Sequence, residues 1–435
     1  MLPVFILDEA TPGARAPGGA SRWWLHHSLL SLSADLAARG ATLVLRRGRF
    51  EEELPRLVAE TGAAEIHAGT PTDPLARQGL ARLVQTLPVP LHLHRTTTLF
   101  IGDAIATQGA GPYRVFTPFA RACRARIDAA PPRPAPARIP CPPPPHSERL
   151  GDLLPLPCRP DWAGGLRATW APGEAGARQR LADFAAGGIA DYDSARDFPG
   201  RPGTSMLSPH LAFGELSPDE AWHVAARAGG TGAAAWQNEL LWREFSAHLL
   251  WHNPDLPDAP MRREFARMPW RDDPAALRAW QRGRTGIPIV DAGMRQLWHT
   301  GWMHNRVRMI VASFLAKHLL LPWQLGEQWF WDTLVDADLA SNSAQWQWVA
   351  GCGADAAPYF RIFNPVLQGQ KFDPDGAYVR RWVPELAEVP ASDIHMPWQV
   401  PMVVADKKYP RPIVDLAAGR QRALRALQTV TAGRA

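Results

Sequence analysis

The first 125 residues alternate short apolar runs with longer amphipathic stretches. Residues 4–8, 41–46, 64–68 and 91–94 are apolar runs of strand length. Between them, residues 21–39, 51–60 and 73–86 carry apolar positions at helical spacing. Ser21 suits a helix N-cap and Gly40 a helix stop, while the acidic residues after position 50 suit a first turn. Strands alternating with helices predict a parallel, covered sheet. Residues 8–13 read D-E-A-T-P-G, so no G-x-G-x-x-G follows the first strand and the dinucleotide fingerprint is missing. Such a domain holds a different ligand or serves as scaffold. Proline crowds the chain from 129 to about 160, with four in a row at 142–145, which marks a connector, wrapped or free. From 174 onward the pattern is helical: residues 231–251, 288–318, 323–334 and 336–349 repeat apolar positions every three or four residues. The expected organisation is an α/β N-terminal domain (1–128; parallel sheet, Rossmann-like without the glycine fingerprint), a Pro-rich linker (129–173) and a large all-α C-terminal domain (174–435).

Composition narrows the class. The 435 residues are 46% hydrophobic and 20% charged, ordinary for a globular protein. No apolar run approaches the ~20 residues a bilayer needs. The N-terminus has no basic n-region, so it is not read as a signal peptide, and a cytoplasmic location is expected. Cys123, Cys141, Cys158 and Cys352 form no C-x-x-C and have no His at zinc spacing; neither a disulfide framework nor a metal site is expected. Net charge is +5, which permits a nucleic-acid partner without demanding one. Nothing signals a symmetric interface, so a monomer is expected. Of 19 tryptophans only Trp23 and Trp24 precede residue 160, which assigns any aromatic chemistry to the second part of the chain.

Four segments there carry candidate chemistry. Residues 203–208, G-T-S-M-L-S, set hydroxyls around a glycine before a helical stretch; they read as a phosphate cradle or as a helix cap. Glu239, Trp242, Arg243 and Ser246 share one helix face that mixes carboxylate, indole, guanidinium and hydroxyl, suited to stacking and hydrogen-bonding a base, or to a surface ion pair. Trp302, Asn305, Arg306 and Met309 lie near one face of a helix whose Arg306 and Arg308 need anionic partners. Asp338, Asn342 and Trp346 recur every four residues in a Trp-rich, apolar stretch. Such a stripe pairs with the N–H and carbonyl edges of a heterocycle, or closes a capped network with Arg308.

Taken together the chain resembles the photolyase/cryptochrome family, nearest to class I cyclobutane pyrimidine dimer photolyases. The strings are G-T-S-x-L-S (203–208), N-E-L-x-W-R-E-F (238–245), T-G-x-P-x-V-D-A-x-M-R-Q-L (285–297), G-W-M-H-N-R-x-R-M-I (301–310), D-A-D-L-A-S-N (336–342) and D-A-A-P-Y-F-R-I-F-N-P (355–365). The resemblance covers most of the chain and is densest between 191 and 385. It implies an antenna domain, a helical domain holding FAD that is active when reduced, and UV-damaged DNA as partner. It implies that Tyr192, Thr204, Ser205, Met206, Leu207 and Ser208 form the loop that holds the FAD phosphates or sugar. Trp236 would lie at the flavin pocket, Arg308 and Asp336 would pair beside the isoalloxazine, Asp338 would bind its polar edge, and Asn342 would face N5. Glu239, Trp242, Met309 and Trp346 would contact a flipped-out dimer; Asn305, Arg306, Arg361, Gln368 and Arg196 would face DNA. Trp346, Trp323 and Trp270 match the family's electron-transfer triad.

The chain departs from the pattern in places. Met206 stands where relatives often carry Arg or Gly, and one contact of the phosphate loop is expected to loosen. Residues 107–113 lack the acidic residue of folate-binding relatives, and Arg284 replaces a Lys near the same ligand. A second, antenna chromophore is therefore open: folate, deazaflavin, another flavin, or none. The competing reading is a cryptochrome photoreceptor. Plant-type cryptochromes carry Asp where this chain has Asn342, and (6-4) photolyases need a His pair where it has His304-Asn305.

Overall fold

The computed structural model describes residues 1–11, 13, 15–128, 131–355, 360–400 and 409–431. The predicted alternation is present. Strand β1 (Val4–Leu7) leads to α1 (Gly19–Ala37), β2 (Val44–Arg47), α2 (Phe50–Thr61), β3 (Ile66–Gly69), α3 (Pro74–Thr86) and β4 (Leu91–His94). Helix α4 (Phe116–Arg124) follows. The strands pair in parallel, β1 with β2 (Val4 beside Val44) and β3 with β4 (Ile66 beside Leu91). Covering is less complete than a parallel sheet ordinarily shows: His67, His92 and His94 stand exposed on the second strand pair. Two boundaries moved. Gly18, not Ser21, precedes α1, because Ser21 is buried and donates to the Leu334 carbonyl. Asp73 caps α3 by accepting from the Ala76 amide, with Pro74 at the first helical position.

The proline-rich connector is wrapped onto both parts of the chain; its first two residues, 129 and 130, lie outside the described residues. Ile139 donates to the Arg39 carbonyl and Glu148 to that of Leu45, while Leu153 and Leu154 join the core under β1 and β2. Further on, Trp170 packs with Trp23, Trp24 and Trp302 and donates its indole N–H to the Thr300 carbonyl.

The helical part is organised around α5 (Gly230–His252), α6 (Pro288–Thr300), α7 (Asn305–Ser313), α8 (Trp323–Thr333) and α9 (Leu339–Ala350), with α10 (Leu416–Thr431) closing the chain. The stretch 288–318, helical in its apolar pattern, is three pieces. Gly301 adopts a left-handed conformation (φ +66°) that ends α6. The ring of His304 then accepts from the Arg306 amide and starts α7. A π-helical run, Phe314–Leu319, follows it directly. Helix α9 begins at Leu339 rather than 336, because Asp338 is its cap: its carboxylate accepts from the Ser341 amide at 2.7 Å. No helix among the described residues is long and apolar enough to cross a membrane.

Candidate active site

Between α5, α7 and α9 lies a cavity of about 470 Å³, within the size range of ligand sites. It is lined by every residue expected to hold the cofactor: Tyr192, Thr204, Ser205, Met206, Leu207, Ser208, Trp236, Arg308, Asp336, Asp338 and Asn342. The same space is lined by Arg196, Glu239, Trp242, Asn305, Arg306, Met309 and Trp346. Segments separated by more than 100 residues thus converge because α5 packs along α9 while α7 approaches α9 from the side. Trp323, Trp270, Arg361 and Gln368 are not among the lining residues.

One wall is a salt-bridged corner. Arg308 donates from Nη2 to Asp336 Oδ2 at 2.8 Å and from Nε to the Met303 carbonyl at 2.7 Å. Ser208 donates to the same Asp336 oxygen at 2.6 Å and accepts from the Trp302 indole at 3.3 Å. The Ser208 hydroxyl proton is thus directed at Asp336, while the residue itself lines the cavity. Thr204 and Ser205 remain half-buried at the cavity. Between them and the short helix Ser208–Ala212, Met206 takes a left-handed backbone (φ +51°), strained for a side chain with a Cβ, which turns the loop sharply back toward the cavity.

The donor set fits a flavin. Asp336 keeps its second oxygen, Oδ1, buried without a protein partner, on a carboxylate that lines the cavity. A buried orphan acceptor beside a guanidinium needs a ligand that donates; a ring edge carrying both N–H and C=O groups provides one.

Asn342 is the second fixed point. Its amide nitrogen donates to the Glu327 carbonyl at 2.9 Å and to Glu327 Oε1 at 2.8 Å. Both acceptors are oxygens, so the amide assignment is unambiguous: Nδ2 faces Glu327 and Oδ1 is the polar atom left for the cavity. Glu327, fully buried, was not singled out in the sequence. A lone carboxylate in the Trp-rich segment 323–331 was the available signal.

On the side where the residues expected to meet substrate gather, Glu239 accepts from Arg196. Burial raises the Glu239 carboxyl above the usual carboxylate range, and the Arg196 guanidinium pulls it back down. Arg196, expected at a DNA phosphate, is thus engaged inside the cavity, its guanidinium 5.4 Å from the Tyr192 ring. Arg306, likewise expected to face DNA, is ion-paired to Asp197 at 2.7 Å and lies 4.4 Å from the Phe372 ring. One face of Trp242 is covered by Phe116, with ring centroids 3.6 Å apart and planes within 4°. His304 stays neutral near physiological pH, because burial pushes its pKa down to about 4.

Of the expected tryptophan series, Trp346 lines the cavity and the other two lie beyond it. Trp346 is edge-on to Phe330 at 5.0 Å and to Trp280 at 6.2 Å. Neither belongs to the proposed triad. Trp323 is buried in the same core, and Trp270 packs at its margin. Arg361 is exposed, and the segment just before it, residues 356–359 of the last string, lies outside the described residues.

Comparison with known proteins matches these features. Residues 236–429 match the FAD binding domain of DNA photolyase, and residues 1–138 match the family described as DNA photolyase. A deoxyribodipyrimidine photo-lyase of Agrobacterium fabrum is 46% identical over 445 residues, spanning 99% of this chain and 92% of its own. A crystal structure of a bacterial class III photolyase from Agrobacterium tumefaciens superposes with a TM-score of 0.94 at 46% identity, covering 99% of this chain and 92% of the other. A Synechocystis cryptochrome follows with a TM-score of 0.85 at 27% identity, covering 98% and 93%. These matches lend no particular support to class I, since the structure at TM-score 0.94 is a class III photolyase. The chain belongs to the DNA photolyase family, and it is an FAD-binding lyase of that family.

Proposed function

We propose that the chain repairs cyclobutane pyrimidine dimers in UV-damaged DNA under light, with reduced FAD and a flipped-out dimer sharing the cavity between α5, α7 and α9. One observation carries this reading: the residues suited to a flavin and those suited to a damaged base pair line one continuous space. A dimer inside a duplex is out of reach and must be extruded, which a poorly stacked lesion makes cheaper.

Reduced FAD, when bound, supplies the light-excited electron that opens the cyclobutane ring and then takes the electron back. The chain's own residues do the rest. Arg308 and Asp336 orient the ring edge, Asp338 lies at the same edge, and the 204–207 loop holds the phosphate side. Trp242, backed by Phe116, offers a rigid face on which the extruded dimer stacks. Where Glu239 is protonated, it donates to a dimer carbonyl that gains negative charge; burial favours that form and the ion pair with Arg196 opposes it. Met309 and Trp346 contact the dimer beside Trp242; Asn305, Arg306, Arg361 and Gln368 border the DNA, and Trp346, Trp323 and Trp270 carry electrons toward the flavin from the surface.

The division into an α/β antenna part (1–128), linker (129–173) and helical part (174–435) belongs to the same proposal; among the described residues all four strands lie before residue 95. So does a monomer in the cytoplasm, in keeping with four unpaired cysteines. The test is to reduce the purified protein chemically, add UV-damaged oligothymidylate, illuminate with near-UV or blue light, and follow thymine absorption against a dark control. Light-dependent recovery is expected. No recovery with FAD bound and reduced transfers the chain to the photoreceptor reading or to a different lesion.

A further inference from the structure

Glu327 is held from two sides. On one side is Asn342, as described. On the other is Arg15, 312 positions away in the segment joining β1 to α1. Its Nη1 donates to both Glu327 oxygens, at 2.6 and 2.7 Å. The Glu327 side chain has no solvent exposure, whereas Arg15 retains 24%. Other groups near the pair are few: the exposed Asp258 carboxylate lies 3.7 Å from Arg15 Nη2, and the Pro257 carbonyl accepts weakly from the same nitrogen at 3.5 Å.

We propose that Arg15 is a positioning residue for the flavin site: by keeping Glu327 a carboxylate, it fixes the Asn342 amide with its NH₂ turned away from the cavity and its carbonyl oxygen turned in. The inference rests on Asn342 facing the flavin ring. Its logic is one of donors and acceptors. A carboxylate can only accept, so it can take only the NH₂ of Asn342. Without Arg15, a carboxylate stripped of water and of its counter-charge takes up a proton. Burial already raises the Glu327 carboxyl, and Arg15 is the first of the groups that lower it again. A protonated Glu327 can donate to the Asn342 carbonyl, and the Glu327 backbone carbonyl, at 2.9 Å, is then the one remaining hold that keeps the NH₂ turned away from the cavity.

The two orientations discriminate between flavin redox states. The N5 of an oxidised flavin is an acceptor, and that of a reduced flavin carries a hydrogen. The carbonyl presented here therefore favours the reduced ring. The same pair ties the antenna part of the chain to the orientation of a group in the catalytic cavity.

The experiment uses the full-length FAD-bound protein and the variants Arg15→Met, Arg15→Gln and Arg15→Lys, with Asn342→Ala as reference. Infrared spectra report the protonation of Glu327, and equilibrium with a redox dye reports the ratio of reduced to oxidised flavin at fixed potential. Arg15→Met and Arg15→Gln are expected to show a carboxylic-acid C=O stretch that is absent from the parent and lost again on adding Glu327→Gln. In both, the reduced-to-oxidised ratio is expected to fall about tenfold, the scale of one hydrogen bond to a charged or ionising partner. Arg15→Lys keeps the charge and is expected to restore both readouts. If Asn342→Ala changes the ratio but neither neutral variant changes it or the stretch, the role of Arg15 is wrong. If Asn342→Ala also leaves the ratio unchanged, the placement of Asn342 at the flavin falls, and the inference falls with it.

Discussion

Replacing Asp336 by Asn keeps the shape of the corner and removes its charge. Two bonds end on Asp336 Oδ2, from Arg308 at 2.8 Å and from Ser208 at 2.6 Å. The first is charge-assisted, and such bonds contribute about 1.5–3 kcal/mol. Arg308 keeps 24% exposure and its bond to the Met303 carbonyl, so solvent screens part of the loss and the side chain is not set adrift. The lower end of the range applies, and about 1.5 kcal/mol is roughly a tenfold loss of affinity. Asn also turns an NH₂ either toward Arg308, a donor facing a donor, or into the cavity in place of the orphan acceptor Oδ1. Either choice adds to the cost, giving an expected ten- to hundredfold weaker FAD binding. Flavin-free protein titrated with FAD, followed by quenching of flavin fluorescence, measures this directly. An Arg308→Met variant completes a double-mutant cycle, in which the combined loss is expected to be well short of the sum of the single losses. Unchanged affinity in Asp336→Asn, or strict additivity in the cycle, would falsify the paired corner as the flavin anchor.

Trp242→Ala removes the face backed by Phe116; affinity for a dimer-containing oligonucleotide should drop by about 1–3 kcal/mol, the usual worth of a stacked base, while flavin content stays normal. Unaltered binding would remove Trp242 from the substrate site. Gly326→Ala places a methyl 2.2 Å from the Trp346 ring and 2.6 Å from Leu315, so it should destabilise the protein by about 1–3 kcal/mol in urea unfolding; a wild-type midpoint contradicts the close approach of α8 and α9. Glu244, buried on α5, has its carboxyl pushed up to about 7 by desolvation, with Oε1 lacking a hydrogen bond and only a 3.8 Å ion pair to Arg243. Because the folded chain holds this proton more tightly than the unfolded one, stability should fall as pH rises from about 4.5 through about 7, by at most about 3 kcal/mol. Glu244→Gln should flatten that slope, and an identical slope in both proteins removes Glu244 as its source.

The strand–helix alternation of the first 125 residues was legible because strands and helices repeat at different periods and each element is short. Boundaries were read less well where tertiary contact outweighed local preference. Ser21 looks like a cap by residue type, yet its hydroxyl is spent on the Leu334 carbonyl, 313 residues away. The stretch 288–318 has one continuous helical pattern, since all three of its pieces bury apolar residues in the same core. The chain breaks there at a left-handed glycine and restarts on a histidine cap, features that leave hydrophobic periodicity untouched. Asp338 shows the opposite case, in which two readings hold at once. The residue caps α9 with one oxygen and still lines the cavity with the stripe that continues through Asn342 and Trp346.

Motif spacing can name the residues of a site but not the bonds that aim them. Asn342 stands out in the sequence through its four-residue repeat with Asp338 and Trp346, and that repeat fixes only the face of the helix it occupies. Which end of its amide meets the cavity depends on Glu327, on the neighbouring helix, and the charge of Glu327 depends on Arg15, near the other end of the chain. Trp242 is similar: its face on α5 follows from helical spacing, but the rigidity that makes it a stacking platform comes from Phe116 on α4. In both cases the local pattern supplies the group, and a residue from the α/β side or its flank supplies the orientation. A substitution confined to that flank can therefore change chemistry in the helical cavity while every motif residue stays in place.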